Sequence, residues 1–209
     1  MAINTIENIY FDYRTATEYS PDYTLDFFTK NSILFSNLTT FKDEEELKLY
    51  CELVYQNLNA LYQKGRYNDT ANTAEKSLQF IDNEIERLRL TTFDDHWYNG
   101  ILSFKAMALY NVRDYKASTN IFRKLTQCDK NNENYKKWLS YSLYGQRMWI
   151  SKTIAVLCGL LILIEIFFKQ YIPSFFVRMS LNSIALVGFI GTSLYDYYIK
   201  RSFRKTKWK

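Results

Sequence analysis

The chain has 209 residues, 47% of them hydrophobic and 18% aromatic, with 27 Lys/Arg against 22 Asp/Glu and a formal charge of +5. Divided at Trp149, the charge falls into 18 basic and 20 acidic residues before and 9 and 2 after, so the excess belongs to the carboxy-terminal region. This excludes a basic stripe on the larger part, the footprint of a nucleic-acid-binding domain, and no nucleic-acid partner is expected.

Only 6 Gly and 2 Pro stand among these aromatics, which favours long helices packed through rings over a sheet punctuated by turns, so the expected fold class is all-α. Ile6, Ile9, Tyr10 and Tyr13 recur at three and four residues and predict a first helix over Ile3 to Tyr19, stopped by Ser20-Pro21-Asp22. A second is predicted from about Asp22 to Leu38, half-burying Leu25, Phe28, Ile33 and Phe35. The third opens on Asp43-Glu44-Glu45-Glu46, an acidic first turn that suits the helix dipole, and runs through Leu47, Tyr50, Val54, Leu58 and Leu61 to Lys64-Gly65. Ala71, Ala74, Leu78, Ile81, Ile85 and Leu88 mark a fourth over Tyr67 to Leu90. Asp94 or Asp95 is placed to cap a fifth, which carries Trp97, Ile101, Phe104, Ala108 and Leu109 on one side. A sixth spans Tyr115 to Thr126. A seventh starts near Glu133, buries Tyr135, Trp138, Leu139 and Tyr141, and meets no strong breaker before the apolar region.

Two apolar runs follow, Thr153 to Phe168 and Met179 to Tyr195, separated by Lys169 to Ser174 and followed by a basic tail. A bilayer core of about 30 Å takes about 20 apolar residues in a helix. The runs read as a membrane hairpin, the first borrowing Trp149 and Ile150 while Lys152 reaches back to the headgroups. The expected domains are a soluble helical part over 1–148, two membrane helices over 149–199 and a basic tail over 200–209. Glu165 lies about one turn before the loop and Arg178 about one turn after it, so an antiparallel hairpin is expected to pair them. Ala155 and Gly159, and again Gly188 and Thr192, are small residues four apart that permit close helix packing, within one hairpin or between copies in a homo-oligomer. Basic residues flank both ends of the hairpin, including Arg147 and Lys152 before it. The positive-inside bias then puts both termini and the helical part in the cytoplasm, at a bacterial inner membrane or an organelle surface. Lys200, Arg201, Arg204, Lys205, Lys207 and Lys209 are expected to meet anionic lipid. The amino terminus has neither the basic region nor the apolar stretch of a secretory signal, so insertion is expected to be directed by the hairpin.

Two turns within the helical part match. Leu61-Tyr62 and Tyr67 enclose one, and Leu109-Tyr110 and Tyr115 enclose the other. This resembles the turn of a tetratricopeptide repeat, and the second copy continues in that manner with Phe122, Asp129 and Trp138. The resemblance covers about Leu47 to Gln146. The turn tyrosines stand 48 residues apart, where the family period is about 34, so longer helices are implied between them. The alternative is an ordinary antiparallel bundle. The family geometry implies a concave face exposing Tyr55, Asn59 and Tyr62 from one repeat and Ser103, Met107 and Tyr110 from the next. Such a set suits an apolar segment or helix of a partner protein better than a carboxylate clamp. These aromatics equally suit packing against the amino-terminal helices Ile3 to Leu38.

Chemistry-bearing patterns are sparse. Cys51, Cys128 and Cys158 show no paired spacing and His96 is the sole histidine, so neither a disulfide framework nor a metal site is expected. No phosphate-binding glycine loop occurs. The expectation is no cofactor and no enzyme activity. Two function classes follow: a membrane-tethered adaptor or scaffold, and a membrane-disrupting effector whose hairpins associate on a signal, as in bacterial defence. The first is similar in layout to the mitochondrial fission adaptors, which have one span where two are read here.

Overall fold

A computed structural model describes residues 6–15, 19–91, 93, 96–167 and 175–206. Among these residues the structure is all helical: α1 (Ile6–Arg14), α2 (Pro21–Lys30), α3 (Ser32–Ser36), α4 (Glu44–Gln63), α5 (Tyr67–Arg87), α6 (His96–Asn111), α7 (Tyr115–Cys128), α8 (Glu133–Phe167) and α9 (Phe175–Thr206). The chain divides into two compact units, Met1–Leu139 and Ser140–Lys209.

Local chemistry sets the helix ends. Ser20 accepts the Tyr23 N–H at 3.1 Å and Pro21 stands at the first helical position, which starts α2. Asp43 accepts the Glu46 N–H at 3.1 Å, and the Glu46 carboxylate reaches back to the Lys42 N–H at 2.7 Å. The cap expected from Asp94 or Asp95 lies outside the described residues. The single helix expected over 22–38 is instead two. The Asn31 backbone N–H and its side-chain amide both donate to the Phe27 carbonyl, at 3.0 and 2.9 Å, closing α2, and the chain restarts as α3. Its facing changes accordingly. Ile33, expected to be half-buried, is 71% exposed, while Thr24 and Phe27 on α2 turn inward.

In Met1–Leu139, α1 and α2 both pack on α4, α4 packs on α5 and α6, α5 on α6, and α6 on α7. Tyr135, Trp138 and Leu139 at the start of α8 pack against Ala106, Phe122 and Leu125. Thus α1 and α2 lie on α4, α4 and α5 on α6, and α6 and α7 on the start of α8, an arrangement compatible with a helical repeat. Leu47, Leu53, Leu58, Ile81 and Ile101 are fully buried in the shared core. Each such side chain contributes about 1.5–3 kcal/mol.

The two matching turns have the same geometry. Leu61 O accepts the Arg66 N–H at 3.0 Å and Tyr62 O the Gly65 N–H at 2.9 Å. In the second turn Leu109 O accepts the Asp114 N–H at 2.9 Å and Tyr110 O the Arg113 N–H at 3.0 Å. Gly65 and Arg113 occupy the left-handed region at φ 71° and 70°, which these helix ends require. The edge-to-face pair Tyr62–Tyr67, with centroids 5.2 Å apart, recurs as Tyr110–Tyr115 at 5.3 Å. Thr70 and Ser118, then Ala74 and Phe122, are fully buried at corresponding positions. The interval is the same throughout, so α4/α5 and α6/α7 repeat locally, although α4 and α5 have 20 and 21 residues where α6 and α7 have 16 and 14.

Glu84, 4% exposed, fastens α5 to the segment before α4. It accepts the Phe41 N–H at 2.7 Å and two bonds from Arg87 at 2.8 and 2.9 Å, while Arg87 also donates to the Phe41 carbonyl. The Arg87 bonds, with help from the Phe41 N–H, hold this carboxyl below its ordinary range against the opposing effect of burial.

In Ser140–Lys209, α8 continues unbroken to Phe167. At 1.5 Å per residue its 35 residues span about 52 Å. By length and composition α8 is able to cross a bilayer, and α9 contains the shorter apolar stretch Met179–Tyr195.

Two outcomes follow for the helical part. Arg113→Gly removes a side chain from a left-handed position and is expected to stabilise by about 0.5–1 kcal/mol, read as a rise of about 2–4 °C in the melting temperature followed by circular dichroism. Glu84→Gln is expected to destabilise by about 1–2 kcal/mol at neutral pH. Because the Glu84 pKa is depressed on folding, its contribution is complete above the ordinary carboxylate value of 4.5 and is lost as pH falls through the lower folded value. The gap between wild type and variant in denaturant titrations should therefore close at acid pH, and a gap constant down to pH 2 would contradict the assignment.

Candidate functional site

The six positions expected to form a concave face fall into three settings. Tyr55, on α4, is half-buried: its ring packs against Trp97 and Phe104, at centroid distances of 4.8 and 5.1 Å. It also lies directly over Gly100 of α6, where an added Cβ would meet two ring carbons at 2.6 Å. Gly100 thus permits the close approach of α4 and α6. Tyr62 packs on Phe104 and Tyr67, and its hydroxyl accepts a bond from the Asn111 amide at 3.0 Å. Burial pushes its phenol pKa up, and the group stays neutral. Met107 packs on the same core, and its carbonyl accepts a second bond from Asn111 at 2.9 Å.

Tyr110 belongs to a second cluster, where its ring meets Tyr115 at 5.3 Å and Trp138 at 5.6 Å, while Trp138 stacks on Phe122 at 6.0 Å. Asn59 accepts a bond from the Gln63 amide at 3.0 Å and lines a small niche of about 70 Å³ with Tyr13, Tyr19, Pro21 and Gln56. Ser103 is half-buried on α6. The structure therefore joins Tyr55, Tyr62 and Met107 through shared core packing, and sets Asn59 toward α1 and α2. Sequence reasoning missed Gly100, Asn111 and Gln56. A glycine one turn after Trp97 within an otherwise helical pattern was the available signal for the first.

A second feature, absent from the sequence reading, is a cleft of about 530 Å³ between α2, α4 and α5, with Leu25 and Phe28 of α2 on one wall, Asn57 of α4 and Asn72 and Lys76 of α5 on the others. Arg66 at its edge is held by Asp69 at 2.7 Å. Among the described residues no three His, Cys, Asp or Glu side chains converge. His96 rests on Trp97 with ring centroids 4.1 Å apart.

In Ser140–Lys209 the usual distribution of side chains is inverted. Val156, Leu157, Leu160, Ile166 and Phe167 on α8 are exposed, as are Ile184, Leu186, Val187 and Leu194 on α9. The buried positions are small: Ser142, Gly145, Ser151 and Cys158 on α8, Ala185 and Thr192 on α9, with Ser151/Cys158 and Ala185/Thr192 as the two pairs nearest the outward apolar surface. Each pair is seven residues apart, the spacing of a seam between two helices. Gly188 lies against the Cys158 sulfur so closely that an added Cβ would overlap it. Gly188 and Thr192 thus stand on this seam, whereas Gly159 faces open space and Ala155 is half-buried. Arg178, expected to pair with Glu165, and the side chains of Lys200, Arg201, Arg204 and Lys205 lie outside the described residues, as do Lys207 and Lys209.

No family model matches this chain, nor does any curated protein or solved structure.

The contact of Tyr55 with Gly100 is open to a direct check. Gly100→Val is expected to cost about 1–3 kcal/mol of stability through overpacking. In a Tyr55→Ala background most of that cost should disappear, and a double-mutant cycle followed by circular dichroism gives the coupling. Additive effects would mean that the ring and the glycine do not share the space.

Proposed function

We propose that the chain is a membrane-anchored adaptor, whose stacked helical pairs hold a cytoplasmic partner protein near the bilayer. The observation that carries this reading is the inversion in Ser140–Lys209: large apolar side chains point outward and small ones face the neighbouring helix. Water would favour the opposite arrangement, whereas lipid tails solvate Leu and Phe as well as a protein core does and leave small residues to mediate helix contact. On this reading α8 crosses and the apolar stretch of α9 returns. The short span of Met179–Tyr195 is then made up by interfacial side chains. The basic residues Arg147 and Lys152, with Lys200, Arg201, Arg204 and Lys205 beyond the second stretch, favour a cytoplasmic location for both ends and for the helical part.

The adaptor half rests on the repeated turns and on the packing order of the pairs α4/α5 and α6/α7, with α1 and α2 each packed on α4, which suits a tetratricopeptide-like stack. In such a stack the first helices present the face that meets a partner. Tyr55, Tyr62, Met107 and Tyr110 give this face its rigid floor, and Ser103 is the position on it least committed to ring packing, whereas Asn59 opens toward α1 and α2. An apolar segment with a polar edge is the occupant this chemistry fits.

The test is capture in mild detergent from cells of the source, with proteins identified by mass spectrometry. A specific partner is expected with the wild-type chain and at least about tenfold less with Ser103→Arg, the melting temperature being unchanged. Equal capture by both forms would remove the face from the binding surface. In parallel, induced expression with a membrane-potential dye is expected to leave the potential intact. Depolarisation would overturn the adaptor reading in favour of an effector that acts on the bilayer.

A further inference from the structure

A groove of about 340 Å³ opens along one side of the helix pair in Ser140–Lys209. Its walls are Ile150, Ser151 and Ile154 on α8 and Gly188, Gly191 and Thr192 on α9, with Tyr195 at one end. The space exists because side chains are missing from its floor. A Cβ added at Gly191 meets nothing within 4 Å, so neither helix closes over this position. The volume is that of a small-ligand pocket, and its lining is overwhelmingly apolar.

One end of the groove differs from the rest. Trp149 and Tyr195 there are 58% and 41% exposed, and rings of this kind settle at the level of lipid headgroups. Arg147 precedes Ser151 by four residues and so stands one turn beyond it on the same side of α8; Lys152 follows Ser151, and both cations are exposed. In the stretches of sequence flanking this end, 140–154 and 188–206, Arg147, Lys152, Lys200, Arg201, Arg204 and Lys205 stand against a single acidic residue, Asp196. An apolar slot that leads up to a cationic rim matches a molecule with a long apolar tail and an anionic head.

We infer that the groove seats one acyl chain of an anionic phospholipid, with its headgroup beside Arg147 and Lys152. The inference rests on the membrane reading above and names a ligand for it. A zwitterionic phospholipid offers the same tail without the matching charge. A second copy of the chain would bring further outward-facing Leu and Ile against the slot, but no countercharge for its rim.

The experiment uses the full chain, extracted in mild detergent and offered equal amounts of phosphatidylglycerol and phosphatidylcholine, with retained lipid measured by native mass spectrometry. Wild type is expected to keep phosphatidylglycerol over phosphatidylcholine by about fivefold or more. Gly191→Leu starts from a Cβ that meets no protein atom, extends into the slot and should lose both lipids. Gly159→Leu is the matched control, since its position is equally open but lies on no wall of the groove. It should retain lipid as wild type does. Arg147→Glu/Lys152→Glu should abolish the preference while leaving helix content by circular dichroism unchanged. Retention of lipid by Gly191→Leu, indifference of wild type to headgroup charge, or a lipid-free dimer in place of the lipid adduct would each overturn the assignment. Release of the chain from membranes by alkaline carbonate would overturn the membrane reading itself, whereas a chain that stays with the membrane but shows any of the preceding three results loses the groove assignment alone.

Discussion

Two helices that turn their large apolar side chains away from each other cannot be held together by burying them. In α8 and α9 the contact is made where side chains are small or absent, at Ser151, Cys158, Ala185, Gly188 and Thr192. The Cys158 sulfur occupies the place that a Cβ at Gly188 would take, so helix separation is set by one glycine and one thiol. Dispersion over many close atom pairs is the attraction available to such a seam, and it falls off steeply with distance. Everything proposed for this part of the chain, from the outward apolar surface to the groove beside the seam, depends on that close approach.

The helical part solves a related problem with the opposite material. There the pairs approach through rings, and where a ring would collide with a backbone, as Tyr55 would with α6, a glycine gives way. The two repeated turns reach one geometry by different local means. In the first, Gly65 takes the left-handed position at little strain, and the following cap, Arg66, makes no side-chain bond to a backbone N–H of α5, its guanidinium donating instead to the Asp69 carboxylate at 2.7 Å. In the second, Arg113 takes the strained position and Asp114 caps α7 through the Ala117 N–H at 3.1 Å. The α-helix ends constrain the backbone in each case, while the distribution of favourable and unfavourable terms between neighbouring residues is free to vary.

Helical periodicity and breakers made most of the architecture legible in the sequence. The acidic start of α4, the end at Lys64-Gly65 and the matching turns lie within a residue or two of their places, because short-range hydrogen bonding decides them. The division at Asn31 was hidden, since the side-chain bond that accompanies it, from the Asn31 amide to the Phe27 carbonyl, falls inside an apolar pattern that otherwise reads as continuous. Tyr55 and Trp97 read as one exposed ring and one buried ring; their mutual contact required knowing that α4 and α6 cross at Gly100. The seam positions Ser151 and Cys158 carried a weaker signal than Ala155 and Gly159, because residue size ranks glycine and alanine first, whereas the rotation of a helix about its own axis chooses which of them faces its neighbour.

The placement of the tryptophans makes the molecule its own optical instrument. Trp97 rests between His96 and Tyr55, Trp138 stacks on Phe122, and Trp149 is largely uncovered. Quenching and emission wavelength respond to neighbouring rings and to the polarity of the medium, so these three of the chain's four indoles, Trp208 lying outside the described residues, sample the α4–α6 crossing, the packing of α8 on α7, and the solvent around the start of the apolar region. Chains retaining one of them at a time would report on those places separately, without any attached dye.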